Sequence, residues 1–445
     1  MTIPRLDRPA PVSLSSAFWY WLKLGFISFG GPAGQIALMH GELVERRRWI
    51  SERRFLHALN YCMLLPGPEA TQLAVYIGWL MHKTRGGILA GALFVLPSLF
   101  ILMSLSWIYL TFGQLPLVAG VLYGIKPAVV AIVLAAAWRI ASRTVKNLSL
   151  GAIALAAFLG ISVLGLPFPA IVLGAAAIGW AGGRWWPRQF QIGGAHPDAR
   201  HSHGPAIIDD DSPTPAHALF SWARLLKVAG LGGALGLAAW LALAALAGPG
   251  GPLAQMGWFF TKAALMTFGG AYAVLPYVYQ GGVETFHWLS ATQMMDGLAL
   301  GETTPGPLIM IVAFVGYVGA WRHALPGASP PLAGALGAAV ATFFTFLPSF
   351  VFILAGGPLV EATRDNIRLT APLTAISAAV VGVIVSLALF FGEQVFWRAA
   401  PPRHWDFIAI AISGAACLAL FRFKVGSIKL IFACAALGLV LSYLR

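Results

Sequence analysis

A chain of 445 residues that is 58% hydrophobic and only 10% charged, with a mean hydropathy of +0.78, carries many stretches able to cross a hydrocarbon core about 30 Å thick, which excludes a soluble globular class. The 29 Lys and Arg against 16 Asp and Glu leave a net charge of +13; these charges lie mostly between apolar runs, where membrane orientation accounts for them and no nucleic-acid partner is called for. The runs are continuous and rich in Ala, Leu and Gly rather than alternating, which sets aside a transmembrane β-barrel.

In chain order, the first sixteen residues hold Arg5, Arg8 and three prolines and lack the apolar core and cleavage site of a signal peptide. Six apolar segments follow, about Ala17–Met39, Phe55–Met81, Ile88–Phe112, Leu115–Ile140, Leu148–Leu164 and Pro167–Gly182. A first membrane repeat thus occupies 1–183, and a hydrophilic, flexible linker 184–224. One connecting transmembrane helix is expected over 225–247, then a second repeat over 248–445 with segments Met256–Tyr279, Thr292–Ala320, Leu332–Gly356, Leu369–Phe391, Phe407–Leu420 and Ile428–Leu444. Cys62, Cys417 and Cys434 fall inside apolar runs without metal spacing. In the linker, His196, His201 and His203 with Asp209, Asp210 and Asp211 have ligand chemistry, but a Gly/Pro-rich segment is no ligand frame, so no metal is expected.

The two sets of six are an internal duplication. At a constant shift of 239, Lys23 meets Lys262, Phe29-Gly30-Gly31 meets Phe268-Gly269-Gly270, Val44-Glu45 meets Val283-Glu284, Trp49 meets Trp288, Ser51 meets Ser290 and Pro66-Gly67-Pro68 meets Pro305-Gly306-Pro307. Beyond a twelve-residue insertion the shift becomes 251, pairing Leu96-Pro97-Ser98 with Leu347-Pro348-Ser349 and Ala128-Val129-Val130 with Ala379-Val380-Val381. One helix between two even-numbered halves inverts the second half, so the expected fold is an all-α polytopic membrane protein built as an inverted-topology repeat.

Charge asymmetry agrees with inversion. Arg46, Arg47, Arg48, Arg53 and Arg54 mark one loop as cytoplasmic, and its repeat partner, 285–293, has no Lys or Arg. If the first two segments crossed fully, that loop would lie opposite Lys83/Arg85 and Arg139/Arg143/Lys146; if they are re-entrant hairpins tipped at the breaks, all three clusters share the cytoplasmic side. The charge count favours hairpins, with a cytoplasmic N-terminus and an external C-terminus either way. Ser51 suits the N-cap of the second hairpin's first arm.

Pro-Gly-Pro inside an apolar run breaks the helix and leaves backbone groups that lipid cannot satisfy, so protein or a water-filled cavity must cover them. Paired breaks of this kind mark a site near mid-membrane. At Gly30, Gly31 and Pro32, and again at Gly269 and Gly270 with Tyr272 following, glycine turns ahead of a half-helix would aim free N–H groups at an anion. Around Pro66, Gly67 and Pro68 stand Glu69 and Gln72; around Pro305, Gly306 and Pro307 stand Glu302, Thr303 and Thr304. Ionisable residues at membrane depth are functional candidates, so Glu69 and Glu302 are the expected proton-coupling groups and the others are expected substrate contacts. Lys126, mid-segment, where the other half has Ser377, would suit an anion. The bland readings are a close-packing glycine pair at the turns, carboxylates that cap helix ends, and a snorkelling lysine.

These residues resemble the chromate ion transporter family, in its long two-domain bacterial form. The resemblance rests on Phe29-Gly30-Gly31-Pro32, Val44-Glu45-Arg46-Arg47, Trp49 and Leu65-Pro66-Gly67-Pro68; on Gly124-Ile125-Lys126-Pro127-Ala128-Val129; and on Gly301-Glu302-Thr303-Thr304-Pro305-Gly306-Pro307 with Phe314-Val315-Gly316-Tyr317. It implies a non-enzymatic carrier, without cofactor, exporting chromate across the bacterial inner membrane, coupled to protons or another ion, with sulfate as a close mimic, and giving chromate resistance. A sulfate permease and a passive anion channel stand as alternatives, and Gly- and Trp-rich faces permit a homodimer without requiring one.

Overall fold

The computed structural model describes residues 9–190, 204–213, 215–268, 270–322, 327–362, 370–398 and 404–444. Apart from two two-residue strands, 397–398 and 404–405, its regular structure is helical: α1 (Leu14–Ile27), α2 (Gly31–His40), α3 (Glu52–Leu64), α4 (Glu69–Phe112), α5 (Pro116–Thr144), α6 (Leu148–Ser162), α7 (Phe168–Trp185) and α8 (Pro187–Phe190) come first. After α9 (Trp222–Ala247) follow α10 (Pro252–Leu265), α11 (Leu275–Tyr279), α12 (Ala291–Thr303), α13 (Ile311–Arg322), α14 (Pro330–Ala362), α15 (Thr370–Phe396), α16 (Phe407–Phe421) and α17 (Ser427–Leu444).

The broken segments are helical hairpins. Helices α1, α3, α10 and α12 have 14, 13, 14 and 13 residues, about 20 Å each at 1.5 Å per residue and too short for a core of about 30 Å. Past the first break the chain doubles back, since the Tyr20 ring lies 5.0 Å from Trp49 and the Arg47 guanidinium 5.2 Å over Tyr20. The second half repeats the contact, with Phe259 5.4 Å from Trp288. Across Pro66-Gly67-Pro68, Arg54 stands 3.8 Å from Glu361 and the Tyr76 hydroxyl donates to the same carboxylate. A continuous helix would hold Arg54 and Tyr76 about 33 Å apart. Across Pro305-Gly306-Pro307, Gly297 packs so tightly on Phe314 that a Cβ would sit 2.3 Å from the ring. Helix α4 reverses once more at His82 and Lys83, whose backbone angles are non-helical, and Gly78 there meets Gly86 backbone to backbone.

Both Pro-Gly-Pro tips are tied to the opposite half by the same bond. Gly67 N–H donates to Thr267 O at 2.8 Å and Gly306 N–H to Ser28 O at 2.7 Å, each pair being the other shifted by 239. These N–H groups are therefore engaged rather than free. Gly67 (φ 121°) lies against Ser349 and Gly306 (φ 110°) against Ser98, again repeat partners. An added Cβ would sit 2.3 Å from Ser349 Oγ or 2.7 Å from Ser98 Cβ, in a backbone region that L residues disfavour. Gly67→Ala and Gly306→Ala are each expected to cost about 1–3 kcal/mol. Thermal unfolding in detergent would read this as a lower midpoint for both variants; an unchanged midpoint would count against the tip packing.

The late helices of each half cross over. α6 and α7 pack on α15, and α16 and α17 pack on α5. Small residues permit it: Gly120 and Gly124 on α5 meet Gly438 on α17 with backbone atoms in contact, and Gly382 on α15 lies on the Ala154 carbonyl of α6. α9 has no buried residue and, beyond Arg224 and Lys227 near its start, is apolar all round, as suits a helix facing lipid; Trp240 Nε1 donates to Ala254 O at 3.0 Å.

Part of the linker is docked. Ile207 and Ile208 N–H donate to Arg48 O and Trp49 O, both at 3.0 Å, Ser51 Oγ donates to Asp210 Oδ1 at 2.6 Å, and Arg54 donates to Ser212 O at 2.7 Å. Ser51 also caps α3, and its repeat partner Ser290 forms a capping box on α12. Outside the membrane helices, Glu42 is penalised by burial, but hydrogen bonds from Arg46 and Arg47 outweigh it and hold the carboxyl below its usual pKa. His196, His201 and His203 lie outside the described residues, and among the described residues no cluster could hold a metal.

Candidate functional site

A cavity of about 320 Å³ opens where the hairpin tips meet the end of α5. Pro32, at the start of α2, follows Gly30 (φ 87°) and Gly31 (φ 71°), both left-handed, which is what turns that tip. Glu69 is the first residue of α4 and faces the same space, as do Gly270 (φ 105°), Tyr272 and Ser377. On the remaining side Arg139 and Arg143, four residues apart on one face of α5, line the cavity. The Tyr272 hydroxyl donates to Glu302 Oε1, joining the third hairpin to the fourth. Arg139 lies within electrostatic reach of both partners. Two guanidiniums, one carboxylate and a phenol thus line a pocket sized for a small anion, and Glu302 stands behind the phenol without lining it.

Other expected contacts sit elsewhere. Gln72 does not line this cavity; its Nε2 donates to Pro66 O at 2.7 Å and Ser349 Oγ at 3.3 Å, while Oε1 is buried without a hydrogen-bond partner. Gln35, which the sequence reading passed over, braces the opposite tip by donating to Gly306 O at 2.5 Å. The Thr303 and Thr304 hydroxyls both donate to Leu300 O. Pro66, Gly67, Pro68, Pro305, Gly306 and Pro307 form the interlocked tips, with their strained glycines closed by the opposite half. Gly269 lies outside the described residues. Lys126 lines a different cavity and pairs with Asp296 at 3.5 Å.

The sequence reading missed Arg139, Arg143 and Asp296. The charge count uses the two arginines only as an orienting cluster, although their spacing of four puts both on one helical face. Asp296 stood inside an apolar segment, the signal that singled out Glu302, and was overlooked.

A family model described as "Chromate transporter" matches residues 15–180 and 254–439. A "Chromate transport protein" of Pseudomonas aeruginosa is 31% identical over 447 residues, covering 97% of this chain and 93% of the relative. One of the same description from Cupriavidus metallidurans is 28% identical over 436 residues, covering 96% and 93%. An uncharacterized transporter of Bacillus subtilis is 30% identical over 149 residues, 34% of this chain but 83% of its own. No solved structure matches this chain.

Proposed function

The chain belongs to the chromate transporter family, and from that premise we propose that it is a secondary active transporter that exports chromate, coupled to protons or a counter-ion. The observation that carries the reading is the arginine-lined cavity at the junction of the hairpin tips. Chromate is a tetrahedral dianion; Arg139 and Arg143 supply charge-assisted hydrogen bonds, Ser377 a neutral one, and the α2 terminus at Pro32 a favourable dipole. Glu302 gives up and takes back a proton, with the Tyr272 hydroxyl moving with it, and Glu69 balances the charge near Arg143. The Pro-Gly-Pro tips act as the joint about which the two halves shift, because their cross-bonds are the same in both directions. Only a difference in anion affinity between the two arrangements is needed to couple the gradients.

The orientation in this reading rests on the hairpins taken together with the positive-inside rule. With both early hairpins returning to their starting side, the Arg46–Arg54 region, Lys83 and Arg85 share the cytoplasmic face of the inner membrane. The N-terminus is then cytoplasmic and the C-terminus periplasmic, and the second half is inverted about α9. This carrier would confer chromate resistance, with sulfate competing because it shares shape and charge.

The test is chromate flux in proteoliposomes with and without an imposed pH gradient, competed with excess sulfate. Gradient-driven, saturable flux suppressed by sulfate is expected. Conductive flux indifferent to the gradient would replace the carrier with a passive anion channel, and sulfate flux without chromate flux would make it a sulfate permease.

A further inference from the structure

A second cavity, about 400 Å³, opens between the end of α4, the start of α5 and the start of α12, and it shares no lining residue with the first. Its polar side chains come from Tyr109, Gln114, Lys126, Thr292, Gln293 and Asp296. Leu122 and Lys126 stand in it where their repeat partners, Leu373 and Ser377, line the arginine cavity. The two cavities therefore occupy related places in the two halves, but with different charges.

Asp296 is 2% exposed. Its Oδ2 accepts from the Tyr109 hydroxyl at 2.9 Å, while Oδ1 has no hydrogen-bond partner and lies 3.5 Å from Lys126 Nζ. That separation is longer than the roughly 2.7–2.9 Å of a well-made charge-assisted bond. The Lys126 side chain keeps 26% of its surface exposed, so its ammonium retains donors facing the cavity. Burying a carboxylate with one oxygen unsatisfied is costly, and a loosely held pair is a poor way to stabilise a fold. The pair also joins the halves, with Lys126 on α5 and Asp296 on α12.

We propose that Lys126 is a second binding site for a divalent oxyanion and that Asp296 occupies it as a resident substitute when no anion is bound. The proposal rests on the transport reading above and deepens it. An arriving oxyanion competes for Lys126, with the Gln114 and Gln293 amides as further donors, and Asp296 is pushed away by like charge. Because the displaced contact spans the halves, loading this site loosens α5 from α12. Release of the anion lets Asp296 close the gap again.

The experiment measures binding of chromate, sulfate and chloride to the purified full chain in detergent, alongside chromate flux by the wild-type protein. Asp296→Asn keeps size and the Tyr109 bond but removes the competing charge, so the affinity for divalent oxyanions should rise about tenfold. Adding Lys126→Met to it should erase that rise. Tyr109→Phe, which frees the other anchor of Asp296, should give a smaller rise, and it decides the matter if Asp296→Asn cannot be recovered folded. Unchanged affinity for all three anions would overturn the proposal whether or not the wild-type protein moves chromate. Absent wild-type flux would instead count against the transport reading, and the binding comparison still stands.

Discussion

Chromate flux through Arg139→Gln/Arg143→Gln is expected to need about a hundredfold more substrate for half-saturation, because each guanidinium bond to a charged ligand contributes about 1.5–3 kcal/mol. Each single variant should lose about tenfold. Both side chains are solvent-accessible in the cavity wall and act on Glu302 and Glu69 through charge rather than through a direct bond, so folding should be intact by size-exclusion and thermal unfolding. Arg139→Lys keeps the charge but loses the planar pair of donors, and should fall between wild type and Gln. If the double variant keeps wild-type half-saturation, the arginines serve only orientation and the anion binds elsewhere. Such a result would leave the Lys126 cavity as the first place to look.

Glu302→Gln should abolish gradient-driven accumulation, by about tenfold or more, while chromate still exchanges down its own gradient. The amide has the shape of the carboxyl group and can still accept from Tyr272, but it cannot release or take up a proton. Tyr272→Phe breaks the hydrogen bond that holds the Glu302 carboxylate in place and should slow the driven flux without removing its dependence on the gradient. Glu69→Gln is the internal control. Glu69 shares the cavity with Arg143, so neutralising it should shift half-saturation more than coupling. Loss of coupling in Glu69→Gln with normal coupling in Glu302→Gln would exchange the two roles.

The hairpins show how far a charge count can reach. Five arginines between residues 46 and 54 could share the cytoplasmic side with Lys83 and Arg85 only if the chain turned back twice, and the Tyr20–Trp49 and Arg54–Glu361–Tyr76 contacts are those turns. The same count gave Arg139 and Arg143 a side and no further role, because the positive-inside rule assigns a residue to a side of the membrane and says nothing about the direction its helical face points. The Pro-Gly-Pro tips were located correctly as breaks. Their backbone donors were expected to be free, yet the acceptors are Thr267 and Ser28, in the opposite half of the chain. Partners so remote leave no local signature.

What the sequence by itself determined is whatever depends on composition and on short-range pattern: an all-helical membrane protein, a duplication read from shifts of 239 and 251, the places where helices must break, and the family. These follow from hydropathy and from the backbone limits of proline and glycine, which need no neighbour to act. What only the tertiary structure decided is which groups meet. Asp296 reached Lys126, Tyr272 reached Glu302, and two arginines from the end of α5 came to hairpin tips that lie over 60 residues earlier or over 120 later in the chain. The physical reason is that a charge within the membrane is tolerated only against a partner. Among the described residues, Arg54–Glu361 and Lys126–Asp296 draw those partners from the other half.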